Sequence, residues 1–283
     1  VVAEDHPCGT SSAAARLLWD DTDLLIGIGS RLELQYMRWG PWDEYLDSPP
    51  EGSPKVIRID IDPTEMDRFK PTTGIVADSA DGVRALIDEI GRQGHTPGDV
   101  DRIAEAKATA TKNIQEIQPQ MDYLNVIREV LPRDGIFVEE LCQVGFASNF
   151  GFPINVPRGY ITTGYQGTLG YGFPTALGVK VGMPDKAVVS IIGDGGFLFG
   201  VQELASAVQQ NIGVVTVIFN NSSYANVRRD QQRLYDGHII GADLVNPDMV
   251  KLAESFGADA YRVDSPATLK PVLEKAIDND RPA

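Results

Sequence analysis

Two short apolar runs, Ala187-Val-Val-Ser-Ile-Ile192 and Gly213-Val-Val-Thr-Val-Ile-Phe219, bracket one helical stretch, and that arrangement leaves few folds open. Both runs are β-branched and uncharged, as expected of parallel strands covered on both faces. The first runs into Gly193-Asp194-Gly195-Gly196-Phe197, where glycines let backbone N–H groups approach a ligand. A helix is expected from Gly200 to Gln210. The second run leads into Asn220-Asn221-Ser222-Ser223-Tyr224. Adjacent parallel strands deliver Asp194 and Asn221 to one carboxyl edge, which is where open α/β sheets bind ligands.

That pairing has a chemical use. A carboxylate, an amide oxygen and a backbone carbonyl are hard oxygen ligands, suited to an octahedral Mg²⁺ that also binds phosphates and water. The glycine-rich turn and the following helix N-terminus offer N–H donors to a diphosphate. Asp after a strand is also a common helix cap, and Asn-Asn a common turn. A buried strand before each element, at this spacing, favours a metal and diphosphate site.

The Gly193-Asp194-Gly195 and Asn220-Asn221 pair resembles the thiamine diphosphate signature of acetolactate synthases, benzoylformate decarboxylases and their relatives. A second segment agrees. Thr163-Gly-Tyr-Gln-Gly167-Thr-Leu169-Gly-Tyr-Gly172-Phe-Pro174-Thr-Ala-Leu-Gly178 is similar to the family's Gly-Thr-Met-Gly-Phe-Gly-Leu-Pro-Ala-Ala-Ile-Gly run. The similarity extends from about Leu17 to the last residue and is strongest between Gly164 and Asn226.

The resemblance implies roles for single residues. Asp194, the Asn221 side chain and the Ser223 carbonyl would bind Mg²⁺. Gly195 and Gly196 would lend N–H groups to the diphosphate, beside Gly193. Gly167 would accept through its carbonyl from the 4′-amino group of the aminopyrimidine. Leu169 matches the bulky apolar residue that wedges between the coenzyme rings, a role that Leu fills as well as Met. Thr168, Tyr224, Ala225 and Asn226 would complete the coenzyme site. So would Gly145 and Phe146, within Val144-Gly-Phe-Ala-Ser148, where acetolactate synthases commonly read Gly-Gln-His-Gln.

Other departures keep the reaction broader than acetolactate synthesis. Ala225 stands where many relatives carry Gly, which disfavours a positive φ and predicts a looser turn. The tryptophan that synthases place just beyond is replaced by Val227-Arg228-Arg229-Asp230-Gln231-Gln232-Arg233. Arg228, Arg229 and Arg233 can clamp a substrate carboxylate or phosphate. A solvated helix face, paired with Asp230 and Asp236, is the favoured reading for at least two of them.

The chain of 283 residues is long enough for two domains with separate cores. Its net charge of −15 argues against nucleic acid and anionic membrane surfaces as partners. Cys8 and Cys142 have no metal-binding or disulfide spacing, and His6, His95 and His238 form no cluster. No apolar run approaches the roughly 18 residues of a membrane span, and a reducing, cytoplasmic setting is expected.

The fold expected is α/β, with two doubly wound parallel-sheet domains, the first incomplete. Residues 1–95 read as part of a central domain, with strands at Asp23–Ile28, Lys55–Ile61 and Gly74–Ala77 and helices at Ser11–Trp19 and Ser79–Gly91. Ile26-Gly27-Ile28-Gly29-Ser30 lacks the third glycine of a dinucleotide fingerprint, which makes a nicotinamide dehydrogenase a distant reading. The Arg-Phe-Asp-Asp-Arg run of FAD-carrying synthases is replaced by Ser30-Arg31-Leu-Glu-Leu-Gln35, so FAD is not expected and a structural role is. Residues 96–120 read as a linker with a helix capped by Asp99, running to about Gln115. Residues 121–283 read as the diphosphate- and Mg²⁺-binding domain, with a helix from Met121 to Leu131, a strand from Gly135 to Glu140 and a closing βα unit to about Asp280.

The resemblance also implies a pyrimidine-binding domain, which supplies the glutamate that activates the coenzyme. No segment here matches it, and Glu139 and Glu140, at a strand end, are not assigned that role. The chain is therefore expected to be the C-terminal portion of a 2-oxo acid decarboxylase or carboligase, inactive alone. The missing domain would come from the same or another chain, in a homodimer or homotetramer. A diphosphate-binding subunit of a two-chain enzyme and a vestigial, non-catalytic module are the alternatives.

Overall fold

The computed structural model of the chain describes residues 6–32, 54–68, 70–96, 98–164 and 166–283. It divides into two compact units, one of residues 12–107 and one built on residues 108–283.

In the first unit, β1 (Leu24–Ile28), β2 (Lys55–Asp60) and β3 (Thr73–Val76) form a parallel sheet in that order. Helix Ser79–Gln93 starts where the Asp78 carboxylate accepts from the Ala80 N–H at 2.8 Å. Helix Val100–Gln115 is capped by Asp99, which accepts from the Arg102 N–H at 3.0 Å. Gly27 within β1 and Gly29 just after it have local reasons. Gly29 has φ +57°, and a methyl at Gly27 would meet Leu32 Cδ1 at 2.8 Å. The Ser30–Gln35 segment lies outside the described residues beyond Leu32.

The alternation of β2 gave no hint of Arg58, which is fully buried. Its Nη2 donates to the Ser30 carbonyl at 3.1 Å and to Glu65 Oε2 at 3.3 Å, and its Nη1 donates to the Glu65 carbonyl. A buried guanidinium is tolerated only with such partners.

In the second unit the strands are β4 (Ile136–Glu139), β5 (Tyr160–Ile161), β6 (Val188–Gly193) and β7 (Val214–Phe219). They pair in parallel in the order β5-β4-β6-β7. Both faces are covered. Ile136, Val138, Val188, Ile192 and Val214 share a core with Phe173, Leu177, Phe197 and Leu204 from helical segments. On the opposite face Phe137 stacks on Phe152 with centroids 4.0 Å apart. This two-sided burial is what the continuous apolar runs encode.

Two expectations about helices and strands are corrected. The helix expected from Gly200 starts at Asp194 instead, as Asp194–Gly200, followed by a 3₁₀ turn at Val201–Glu203 and helix Leu204–Gln209. Glycines are poor helix formers, but Phe197 is 3% exposed and packs on Phe173 at 5.5 Å, and that packing outweighs local propensity. In the closing unit, helices Met249–Phe256 and Pro266–Asn279 form, but Asp259–Val263 between them is not a strand. The Asp259 N–H bonds to Pro282 at 2.9 Å, while the β7 edge takes Ala283, so this segment does not join the sheet.

Candidate functional site

Register decides which side chains meet. β6 and β7 are in parallel register to their last residues, with Gly193 opposite Phe219. The next residues, Asp194 on one strand and Asn220 to Ser223 on the other, therefore emerge side by side at the carboxyl edge. Asp194, Asn220, Asn221 and Ser223 line a cavity of about 460 Å³, together with Gly193, Gly195, Gly196, Tyr224, Ala225 and Asn226. Gly167 and Leu169 contribute from the 163–172 loop, and Phe146 from helix Gln143–Gly151. Of the site residues expected from sequence, Gly145 and Thr168 do not line this cavity. Gly145 is buried behind it, with its N–H donating to Cys142 Sγ at 3.2 Å, and Thr168 is exposed.

Asp194 is the first residue of its helix and is 2% exposed. Its Oδ2 accepts from Asn246 Nδ2 at 2.6 Å. Among the described residues no ion pair reaches it. The arginines after the loop are committed elsewhere: Arg228 to Asp243 at 2.9 Å and Arg229 to the adjacent Asp230 at 3.2 Å. A buried carboxylate with no cationic side chain is a place for a bound cation. The other donors at this edge are amide and carbonyl oxygens, a set suited to a hard divalent ion. Accordingly, the described residues contain no group of three or more His, Cys, Asp or Glu that could hold a metal.

The Asn-Asn loop is held by its own turn and by a distant segment. Asn220 Oδ1 accepts from the Ser222 N–H at 3.1 Å, which supports the left-handed φ of +55° at Ser222. The Leu244 N–H donates to Ser222, and the Tyr224 N–H to Ala242, each at 2.8 Å. Ser223 Oγ donates to Ala242 at 3.0 Å, and no backbone N–H among the described residues takes the Ser223 carbonyl. The positive φ that alanine disfavours at 225 is indeed not required there. Ala225 opens helix Ala225–Leu234, and the positive φ falls on Ser222 instead.

Gly195 and Gly196 are excluded from bearing side chains by packing. A methyl at Gly195 would enter the Tyr224 ring, and one at Gly196 would overlap Glu140 Oε1. Gly167 has φ +59°, and Gly170 has φ +80° with Phe199 Cβ 2.7 Å from where a methyl would sit. Leu169 is half-buried at the cavity wall.

Glu139 and Glu140, at the end of β4, are fully buried. Glu140 accepts from the N–H groups of Gly170 at 2.9 Å and Gly172, and so anchors the 163–172 loop where helix Gly172–Gly182 begins. Glu139 Oε2 accepts from Thr162 Oγ1 at 2.6 Å, while its Oε1 has no partner. Burial pushes both carboxyls above their usual range; the Glu140 charge adds to this at Glu139, and the backbone donors oppose it at Glu140. Burial also pushes the Cys142 thiol up to about 12, so it stays protonated at neutral pH.

A raised carboxyl pKa means that the folded chain holds its proton longer than the unfolded chain as pH rises. The resulting stability is present below the ordinary glutamate value of 4.5 and is lost as pH climbs through the raised folded values. Glu139→Gln removes the group with the orphaned oxygen. Its stability relative to the native chain is expected to rise between pH 5 and pH 8 in urea unfolding; a difference independent of pH would contradict the assignment.

Sequence reasoning missed Asn246 as a contributor to this edge, and with it the bond that Asn220 Oδ1 accepts. Asn246 lies in a loop beyond the next helix, with no motif around it, and only the fold brings it back to Asp194.

Comparison with known proteins accords with this geometry. Residues 142–283 match the family model "Thiamine pyrophosphate enzyme, C-terminal TPP binding domain", and residues 1–86 match "Thiamine pyrophosphate enzyme, central domain". The probable acetolactate synthase large subunit of Methanocaldococcus jannaschii is 32% identical, over 99% of this chain and 49% of that protein. The acetolactate synthase large subunit of Corynebacterium glutamicum is also 32% identical, over 97% and 45%. The structure of a thiamine diphosphate-dependent 4-hydroxybenzoylformate decarboxylase from Rhodococcus jostii RHA1 superposes with a TM-score of 0.71 at 22% identity. It shares the fold across 99% of this chain and 52% of its own. The chain thus spans about half the length of the curated relatives it matches. Among the described residues no helix is long and apolar enough to cross a membrane. With its central-domain match followed by the C-terminal match over half its length, the chain belongs to the thiamine pyrophosphate enzyme family.

Proposed function

We propose that this chain is the Mg²⁺- and diphosphate-binding portion of a thiamine diphosphate-dependent enzyme that decarboxylates a 2-oxo acid or joins it to a second carbonyl. The reading rests chiefly on one observation: a buried Asp194 carboxylate, with no ion-pair partner among the described residues, at the same strand edge and cavity as Asn221 and Ser223. Asp194, the Asn221 amide oxygen and the Ser223 carbonyl hold the metal. Gly195 and Gly196 offer N–H groups to the diphosphate, with Gly193 at the helix entry. Gly167 and Leu169 orient the rings, the first through its carbonyl and the second by bulk. Phe146, Tyr224, Ala225 and Asn226 form the rest of the coenzyme's surroundings, while Gly145 and Thr168 lie off the cavity. Once bound, the coenzyme supplies an electron sink beside the reacting carbonyl.

The proton-relay glutamate that such chemistry needs is assigned to neither Glu139 nor Glu140. Glu139 and Glu140 are sealed behind the cavity wall and bonded to Thr162 and to the loop amides. A pyrimidine-binding domain, on the same or another polypeptide of a homodimer or homotetramer, provides it, and this chain alone has no turnover. The working domain limits are 1–95, 96–120 and 121–283. A vestigial, non-catalytic module is the alternative, and it predicts no metal-dependent binding.

Isothermal titration with thiamine diphosphate, with and without Mg²⁺, tests the reading. Weak binding that requires the metal is expected, and equal heats in excess chelator would overturn it. Turnover of a 2-oxo acid by the chain alone would remove the inactivity half.

A further inference from the structure

We propose that Asn246 is the positioning residue of the divalent-cation site, tying together the two strand tips that carry the ligands; this rests on the metal reading above. Its single amide nitrogen donates both hydrogens, one to Asp194 Oδ2 at 2.6 Å and one to Asn220 Oδ1 at 2.9 Å. Those acceptors follow β6 and β7 respectively, so one side chain fixes the spacing between the two halves of the site.

The consequences reach each ligand. Occupying Oδ2 of Asp194 leaves Oδ1 as the oxygen presented to a cation. Holding Asn220 Oδ1 in place preserves its bond to the Ser222 N–H at 3.1 Å, hence the positive-φ turn that sets Asn221 and Ser223. Asn246 is itself well anchored. Ala242, four residues earlier, is fully buried, and residues 242–244 are laddered to residues 222–224 through 2.8 Å backbone bonds.

The orientation of the amide is fixed by its neighbours. Turned over, it would aim Oδ1 at two oxygen acceptors. In the orientation found, Oδ1 is buried without a partner. An orphaned buried acceptor is unfavourable; a leucine would remove this one but would strip Asp194 Oδ2 of its donor. Packing alone gives no reason for an amide here, whereas orienting a charged ligand does.

The test uses Mn²⁺ as probe, titrated into the chain with thiamine diphosphate present and followed by the electron paramagnetic resonance of the free ion. Asn246→Ala and Asn246→Leu are both expected to bind Mn²⁺ about 10- to 100-fold more weakly, the range typical of lost ligand-orienting partners. Val245→Ala, at a fully exposed neighbour, keeps the native affinity. Circular dichroism in chelator reports folding, and the leucine variant carries the test if the alanine variant does not fold. Native affinity in Asn246→Leu would reduce the residue to a space-filler and overturn the proposal. If Asp194→Asn loses Mn²⁺ while both Asn246 variants retain it, only this proposal falls. If Asp194→Asn also keeps the native affinity, or the native chain binds no Mn²⁺, the metal reading falls and takes this inference with it.

Discussion

Asp194→Asn is expected to weaken divalent-cation binding by about 100-fold or more, which is roughly 2.8 kcal/mol, while the metal-free chain stays folded. Asparagine keeps the shape of the side chain and an oxygen that can accept from Asn246 Nδ2, now 2.6 Å from the carboxylate. It loses the charge, and no other anionic side chain has been identified among the proposed ligands to replace it. In the metal-free chain that charge is a burden, because Asp194 is 2% exposed and has no ion-pair partner among the described residues. Neutralising it relieves desolvation and forfeits the favourable interaction of an acid with a helix N-terminus, which is about 0.3–1 kcal/mol. The two nearly cancel, so the melting temperature in chelator should move little. A residue whose loss abolishes binding while sparing stability serves the ligand rather than the fold. Calorimetric titration of Mg²⁺ with thiamine diphosphate, beside thermal unfolding in chelator, separates the two effects. Native-like binding would remove Asp194 from the metal site.

Much of the site was legible because its framework is encoded locally. Buried parallel strands read as short, β-branched apolar runs, so β6 and β7 stand out, and their ends name Asp194 and Asn221 directly. Of the residues expected around the coenzyme, Gly145 and Thr168 lie off the cavity, one behind its wall and the other exposed. The features that were not legible depend on contacts between distant segments. The start of the helix at Asp194 is set by the packing of Phe197, against the preference of two glycines. Asn246 reaches Asp194 from 52 residues away, beyond helix Leu204–Gln209, β7 and helix Ala225–Leu234, and no spacing rule covers such a distance. Arg58 looks like a solvent-facing strand residue until Glu65 and the Ser30 carbonyl are seen to surround it. Glu140 is not assigned the catalytic role, and nothing in the sequence signals that it anchors the 163–172 loop. Polar groups buried by tertiary structure leave little trace in a local pattern, because their partners lie elsewhere in the chain.

Gly196→Ala is expected to be among the most disruptive single-methyl changes in the second unit, with a loss of about 3 kcal/mol or more, at the upper end of overpacking effects. The sequence suggested that this glycine opens the backbone to a ligand; the packing supplies a stronger reason. A methyl there would overlap Glu140 Oε1. Small clashes are often relieved by a flexible side chain, but Glu140 is fully buried and held by the Gly170 and Gly172 N–H groups, so it cannot swing aside without releasing both. The strain should pass to the 163–172 loop, moving Gly167 and Leu169 at the cavity wall. Glu140→Ala removes the obstructing carboxylate at the expense of leaving those two donors unpaired, and is destabilising on its own. The double variant should therefore be more stable than the sum of the single losses predicts, with a coupling of about 1–3 kcal/mol measured by urea unfolding. Simple additivity would show that the methyl clash is not the cause. Gly178→Ala provides the contrast on helix Gly172–Gly182: nothing lies within 4 Å of its would-be methyl, so the usual advantage of alanine over glycine, up to about 1 kcal/mol, should appear as a gain in stability.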